Sequence, residues 1–334
     1  MSYLETPVEA KSIDGWKGIP IKECGEPLVP LGSFSRYPQI HTRSVYFGEG
    51  AESPYFNNGF GGSLITMFVR QGTADRLVYA QSLLPENTFF VVFDAHRTVS
   101  VQQALFDRFI SQLKEIHPDW GEKDLLLKTQ KYVSIPSLDS RRPSPHNADA
   151  VDLALYTLPD DISEEVEMAR VVLNQYNLTP KNRYQLEITR AGLINQNARS
   201  LNFGVPFDWG GKESAADYYE RLAETKPLTD YEIEARNNRR LLINVMRQAG
   251  LIVLDSEYWH FNSKKSQMGA QALGLEYAEY GSSILSSENL MHEAMRKLYW
   301  TLGRRLPKTN EKRAIEAADF TDSTFAKATI ILPN

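Results

Sequence analysis

Six histidines occur in the chain of 334 residues: His41, His96, His117, His146, His260 and His292. Two of them stand where an apolar run meets polar sequence. His146 lies six positions before Asp152, and Asp152 is the only charge in the stretch from Ala150 to Tyr156. A carboxylate in such a stretch is costly to bury unless something pairs with it, and a metal ion is one such partner. His260 follows the apolar run Leu251-Ile252-Val253-Leu254. It comes three residues after Glu257 and is flanked by Trp259 and Phe261. Two imidazoles, one carboxylate and a spare carboxylate are what a catalytic zinc site requires. Three groups hold the metal, a fourth position stays open for water, and the spare carboxylate serves as base. The same residues also admit a structural His–Asp hydrogen bond and a surface ion pair between Glu257 and His260. Spacing by itself leaves these readings open.

The elements that must position these residues are legible in outline. Phe89-Phe90-Val91-Val92-Phe93 is an aromatic and β-branched run, the pattern of a buried strand, and it ends at Asp94-Ala95-His96-Arg97. Val101, Leu105, Phe109 and Leu113 recur every four residues, which predicts an amphipathic helix over 99–116 stopped by Pro118. A helical spacing from Leu77 to Leu84 stops at Pro85. A strand is expected over 148–156, with Ala150, Asp152, Ala154 and Tyr156 on one face. Ser163 to Gln175 reads as a helix. Thr229-Asp230-Tyr231-Glu232 is a capping box opening another helix, with Gly250 at its end. A strand follows at Leu251 to Leu254, and a last helix is expected from Ser286 to Trp300. Strands and helices do not alternate as βαβ units, so the fold class is α+β.

Composition narrows the class of protein. Hydrophobic residues make up 42% and charged residues 24%, which excludes a disordered or collagen-like chain. The formal charge of −5 argues against a broad nucleic-acid surface. One cysteine, Cys24, excludes an intrachain disulfide and a cysteine-rich zinc site, and is expected to be a packed thiol. No apolar stretch approaches the ~18 residues of a membrane span. The first eighteen residues carry Glu5, Glu9, Lys11 and Asp14 with no apolar core, so they do not read as a secretory signal. A cytoplasmic protein is the expectation.

Three segments taken together resemble the zinc D-alanyl-D-alanine dipeptidases, the group that includes the vancomycin-resistance dipeptidase. They are Phe93-Asp94-Ala95-His96-Arg97, then Ser144-Pro145-His146 with Ala150-Val151-Asp152, then Glu257-Tyr258-Trp259-His260. The family pattern is S-x-H-x-x-G-x-A-x-D followed downstream by E-x-W-H, with an arginine after an upstream buried strand. Asn238-Arg239-Arg240-Leu241-Leu242 also looks like the helix that precedes the last motif. The resemblance covers roughly residues 70 to 262.

It implies a central, mainly antiparallel sheet flanked by helices, and one Zn2+ per chain held by His146, Asp152 and His260. Glu257 would be the general base and Arg97 the group that stabilises the oxyanion. Ser144 would help hold the substrate carboxylate, and Asp208 would lie near the substrate's free amine. The plain alternatives are an Arg97–Asp94 ion pair, a turn role for Ser144 and a loop cap for Asp208. His96 stands where the family usually has tyrosine and reads as structural.

Two departures bear on the implied activity. The step from His146 to Asp152 is six positions where the family has seven, and the motif glycine is absent. The shorter loop must therefore reach the metal without glycine's conformational freedom. If the strand already includes Asp149, that residue faces away from Asp152. Glu257 and His260, three apart, would point to opposite sides of a flat strand, so the chain should bend near Tyr258. The second departure is length. Residues 1–62 are expected as an irregular layer packed on a peptidase domain of 63–334, which carries an insertion with a helix at about 160–200. The implied reaction is hydrolysis of a small dipeptide, D-Ala-D-Ala-like, with no nucleic-acid or membrane partner. Two readings compete with it. One is a carboxypeptidase or amidase with the same metal, acting on a cell-wall fragment or another small peptide. The other is a binding protein that has lost the metal.

Overall fold

The computed structural model describes residues 3–48, 60–130, 132–139, 141–175 and 177–305. The first part of the chain holds few hydrogen-bonded elements: β1 (Leu28–Pro30) and β2 (His41–Thr42), then β3 (Phe68–Arg70), α1 (Gln71–Gln81) and β4 (Thr88–Asp94). Two helices follow, α2 (Val99–Ile116) and α3 (Glu122–Thr129), and then β5 (Ala150–Thr157). The middle contributes α4 (Asp160–Gln175), α5 (Pro180–Asn197), β6 (Arg199–Ser200) and α6 (Tyr218–Thr225). The last stretch runs α7 (Asp230–Gln248), β7 (Leu251–Leu254), β8 (Glu257–Ser263), α8 (Gln267–Ala272) and α9 (Ser287–Arg305).

The fold is α+β, as expected, with a six-stranded sheet in the order β2-β4-β5-β8-β7 and β6 added to β5. Only the β2–β4 pair is parallel; the other pairings in this sheet are antiparallel. β1 and β3 form a separate antiparallel pair. β4 and β5 lie in the middle, which is why both read as nearly continuous apolar runs. Phe90, Val92, Val151, Leu153 and Leu155 are all buried and join Leu242, Val245 and Met246 of α7 in the main core.

Local signals set the ends of these elements. The Thr98 hydroxyl accepts from Val101 N at the start of α2, and Pro118 follows its last turn. At the start of α7 the Thr229 hydroxyl accepts from Glu232 N and the Glu232 carboxylate accepts from Thr229 N at 2.8 Å. Gly250 then takes φ 78°, a left-handed end that leads straight into β7.

Three expectations need correction. The strand carrying Asp152 begins at Ala150, because Pro145 to Ala148 form a 3-10 turn and Asp149 has φ 86°. The span 160–200 holds two helices, α4 and α5, since Thr179 caps and Pro180 opens a second one after the first ends. Cys24 is exposed, not packed.

Candidate metal centre

Adjacent strands bring the site together. In the ladder register Asp152 of β5 sits opposite Asp94 of β4 on one side and opposite His260 of β8 on the other. The expected bend in β8 is present. Its pairing with β7 jumps from Leu254↔Glu257 to Val253↔Phe261, so Tyr258, Trp259 and His260 have no β7 partner. This irregularity lets Glu257 and His260 serve one site despite their odd spacing, with His260 Nδ1 3.9 Å from Glu257 Oε2. His146 enters from the 3-10 turn before β5.

The metal-type atoms of His146, Asp152 and His260 all lie within 4.8 Å of one another, and all three residues are buried. His146 Nε2 is 3.3 Å from Asp152 Oδ2, and His260 Nδ1 is 2.8 Å from Asp152 Oδ1. The two rings meet edge to face with centroids 4.9 Å apart. On its other side His146 Nδ1 is 3.1 Å from the Ala95 carbonyl oxygen and 3.3 Å from Asp94 Oδ2. Both of those atoms only accept, so the ring proton belongs on Nδ1 and the Nε2 lone pair faces Asp152. A lone pair 3.3 Å from a carboxylate oxygen requires a positive charge between them, either a second ring proton or a cation. For Zn–N and Zn–O bonds of about 2.0–2.2 Å, two corners of a tetrahedron lie roughly 3.3–3.6 Å apart, and the observed spacing is of that size. His260 Nε2 is buried without a hydrogen-bond partner among the described residues. The donor set therefore fits a zinc ion.

Electrostatics sort the two site carboxylates. Burial would raise the Asp152 pKa, but the imidazoles of His146 and His260 outweigh it and hold the group well below the usual carboxylate range. Glu257 is pushed up to about 7, first by burial, with the Asp152 and Asp208 charges adding to it and His260 and Arg97 opposing it. About a third of the Glu257 side chain (32%) is still accessible, and it lines a cleft of about 760 Å³ together with Asp208, Trp209 and Trp259. One carboxylate is thus fixed as an anion among imidazoles, while the other can exchange protons near neutrality at the cleft wall.

Arg97 does pair with Asp94, the plain alternative: Nε and Nη2 both donate to Asp94 Oδ2, with Nε at 2.9 Å. Gln102 Oε1 accepts from Nη1 at 2.8 Å and the Tyr46 hydroxyl accepts from Nη2 at 2.9 Å. The guanidinium is thus locked in place while its charge still acts on Asp152 and Glu257. Ser144 is buried at the N-terminal end of the His146 turn, where its carbonyl accepts from Asn147 N and Ala148 N. Asp208 sits in a loop at φ 63° and shares the cleft with Glu257. His96 is buried, bonds to the Ser283 hydroxyl through Nδ1 at 3.0 Å, and is pushed down to about 4 by burial, with Arg70 and His146 adding to the effect.

Asp149 was missed as a supporting residue. Counted from His146 it stands where the family pattern has its glycine, and it takes the left-handed conformation itself. Its carboxylate accepts from Arg70 N at 2.7 Å and from the Thr73 hydroxyl, at the start of α1. Burial pushes this carboxyl up to about 7, against the lowering effect of those bonds. Aspartate is among the few residues that tolerate positive φ, which was the one available signal. Tyr46 and Gln102 gave none, because nothing in sequence links them to Arg97.

No protein-family model matches the chain. It is 26% identical over 264 residues to a D-alanyl-D-alanine dipeptidase from Synechocystis sp., a match covering 73% of this chain and 84% of the relative. That identity is modest, but it agrees with motifs that the fold gathers from three distant stretches onto one buried cluster. Over most of its length, then, this chain is similar to a D-alanyl-D-alanine dipeptidase.

Proposed function

We propose that the chain hydrolyses a small dipeptide of the D-Ala-D-Ala type at one zinc ion held by His146, Asp152 and His260. The observation that carries this reading is the buried convergence of His146, Asp152 and His260, whose ligand-type atoms lie within 4.8 Å of one another, with His146 Nε2 3.3 Å from Asp152 Oδ2. Two imidazoles and one carboxylate leave a fourth position open, as in catalytic zinc sites. When bound, zinc supplies Lewis acidity, acidifying a coordinated water and polarising the scissile carbonyl.

The chain's own residues then divide the work. Glu257, at the cleft wall and with its carboxyl near neutrality, takes a proton from the attacking water and passes it to the leaving amine nitrogen. Arg97, held by Asp94, Gln102 and Tyr46, presents a fixed positive charge where the oxyanion develops. Ser144 helps hold the substrate carboxylate. Asp208, which lines the same cleft as Glu257, pairs with the free amine. Selection for both termini at once favours a dipeptide over a longer peptide.

The test is metal analysis of the purified protein together with a panel of D,D and L,L dipeptides and longer peptides. One zinc per chain and cleavage confined to dipeptides support the proposal. Cleavage of longer peptides only would shift it to a carboxypeptidase or amidase. A metal-free protein with no hydrolysis would leave a binding protein.

A further inference from the structure

The edge of β5 that faces β8 is split. β8 pairs with it at Ala150, Val151 and Asp152, whereas β6 pairs with it at Tyr156 and Thr157. Between these two partners the strand is flanked by the loop 201–207, which touches it through the bond from Leu201 N to Leu155 O. A cavity of about 310 Å³ opens there, lined by Ala154 and Tyr156 of β5 and by Phe203, Val205 and Phe207 of the loop, with Arg43 beside them. Side chains alternate along a strand, so Asp152, Ala154 and Tyr156 share one face. Ala154 is therefore only about 7 Å along the strand from the metal-side carboxylate. The wall between cavity and metal cluster is aromatic. Phe207 lies 4.8 Å from Phe93 and 5.4 Å from Trp259, centroid to centroid, and the next residue in the loop is Asp208.

We infer that this cavity is a side-chain subsite, and that the preferred substrate is a dipeptide whose amino-terminal residue carries a large apolar or aromatic side chain. This rests on the dipeptidase reading, with Asp208 at the free amine. Asp208 lines the cleft with Glu257 and its chain neighbour Phe207 lines the cavity, so a residue whose amine meets Asp208 has its side chain beside the Phe207 ring that borders the cavity. The methyl group of an amino-terminal alanine would leave most of this cavity of about 310 Å³ unfilled, a volume at the lower end for small-ligand sites. Rings suit the lining, because Phe203 stacks on Tyr258 at 4.9 Å and the Arg43 guanidinium sits 5.5 Å from the Tyr156 ring.

The experiment compares kcat/KM for Ala-Ala, Phe-Ala and Ala-Phe, in whichever configuration is cleaved, for wild type and for the cavity-filling variants Ala154→Leu and Val205→Phe. Even one methylene in an apolar pocket is worth about 10–200-fold, so Phe-Ala should exceed Ala-Ala by at least about tenfold. Either variant that folds should lose that preference while keeping its activity on Ala-Ala. Val205 is half-buried at the loop, so its variant covers the case in which Ala154→Leu fails to fold. Equal rates on Ala-Ala and Phe-Ala, a gain for Ala-Phe instead, or a preference that survives filling would each overturn the subsite. Absence of hydrolysis of every dipeptide would instead remove the dipeptidase reading, and the subsite with it.

Discussion

Asp149 offers the sharpest test of how this chain holds the loop between His146 and Asp152, because shape and charge can be separated there. Asp149→Asn keeps a side chain that tolerates positive φ and one carbonyl oxygen to accept from Arg70 N, but it cannot ionise. Asp149→Ala must hold φ 86° with a Cβ, costing about 1–2 kcal/mol. It also leaves the Arg70 N–H and the Thr73 hydroxyl without the buried carboxylate, at roughly 1–3 kcal/mol for each group left unpaired. The charge effect has a definite sign. The folded carboxyl titrates near 7 and the unfolded one near 3.8, so the folded state holds the extra proton between those values. Its stabilising contribution is complete below the unfolded value and is lost as pH rises through about 7. From pH 5 to 8 this amounts to at most about 3 kcal/mol, at roughly 1.4 kcal/mol per pH unit. The assay is urea unfolding of metal-free protein at both pH values. Glu257 titrates in the same range but is present in every variant, so it cancels in the comparison with wild type. Asp149→Asn should gain on wild type as pH rises, and Asp149→Ala should be several kcal/mol less stable at both. Parallel pH dependence in wild type and Asp149→Asn, or an undiminished Asp149→Ala, would refute the reasoning.

The remaining predictions concern the reaction. Glu257→Gln should bind zinc at wild-type stoichiometry yet lose about 10²–10⁴-fold in kcat, and near-normal turnover would remove Glu257 as base. His260→Ala should purify with substoichiometric metal, and full zinc content by elemental analysis would strike it from the ligand set. In wild type, log kcat/KM should climb with pH on the acid side as Glu257 loses its proton, with a limb at or below about 7 because a bound cation favours the anion; a flat acid side down to pH 5 would contradict that. Arg97→Lys cannot reproduce the fork onto Asp94 together with the bonds to Gln102 and Tyr46. Its kcat should fall by more than its KM rises, and the reverse split would make Arg97 a ground-state binding residue.

The sequence was most informative where one physical demand dominates the local pattern. Burial on both faces makes β4 and β5 continuous apolar runs, and a lone carboxylate in such a run, Asp152, shows before any fold is known that it needs a partner, a metal ion being one. The capping box at Thr229 and the left-handed stop at Gly250 are local by nature, so α7 and the start of β7 could be placed from neighbouring residues alone. Support for the site was not legible, because it crosses the chain. Tyr46 reaches Arg97 from 51 residues upstream, and Asp149 secures its loop on α1 across 76 residues through Thr73. The missing glycine shows why a motif letter is a weaker guide than the conformation behind it. What the turn between His146 and Asp152 requires is a positive φ, and an aspartate supplies it here when its carboxylate finds the N–H and hydroxyl at the beginning of α1. This exchanges a local solution for a tertiary one. With glycine, the loop keeps its shape from its own backbone; with Asp149, the shape depends on α1 staying docked. The loop between His146 and Asp152 should therefore be more sensitive than a glycine-bearing one to any change that moves the start of α1.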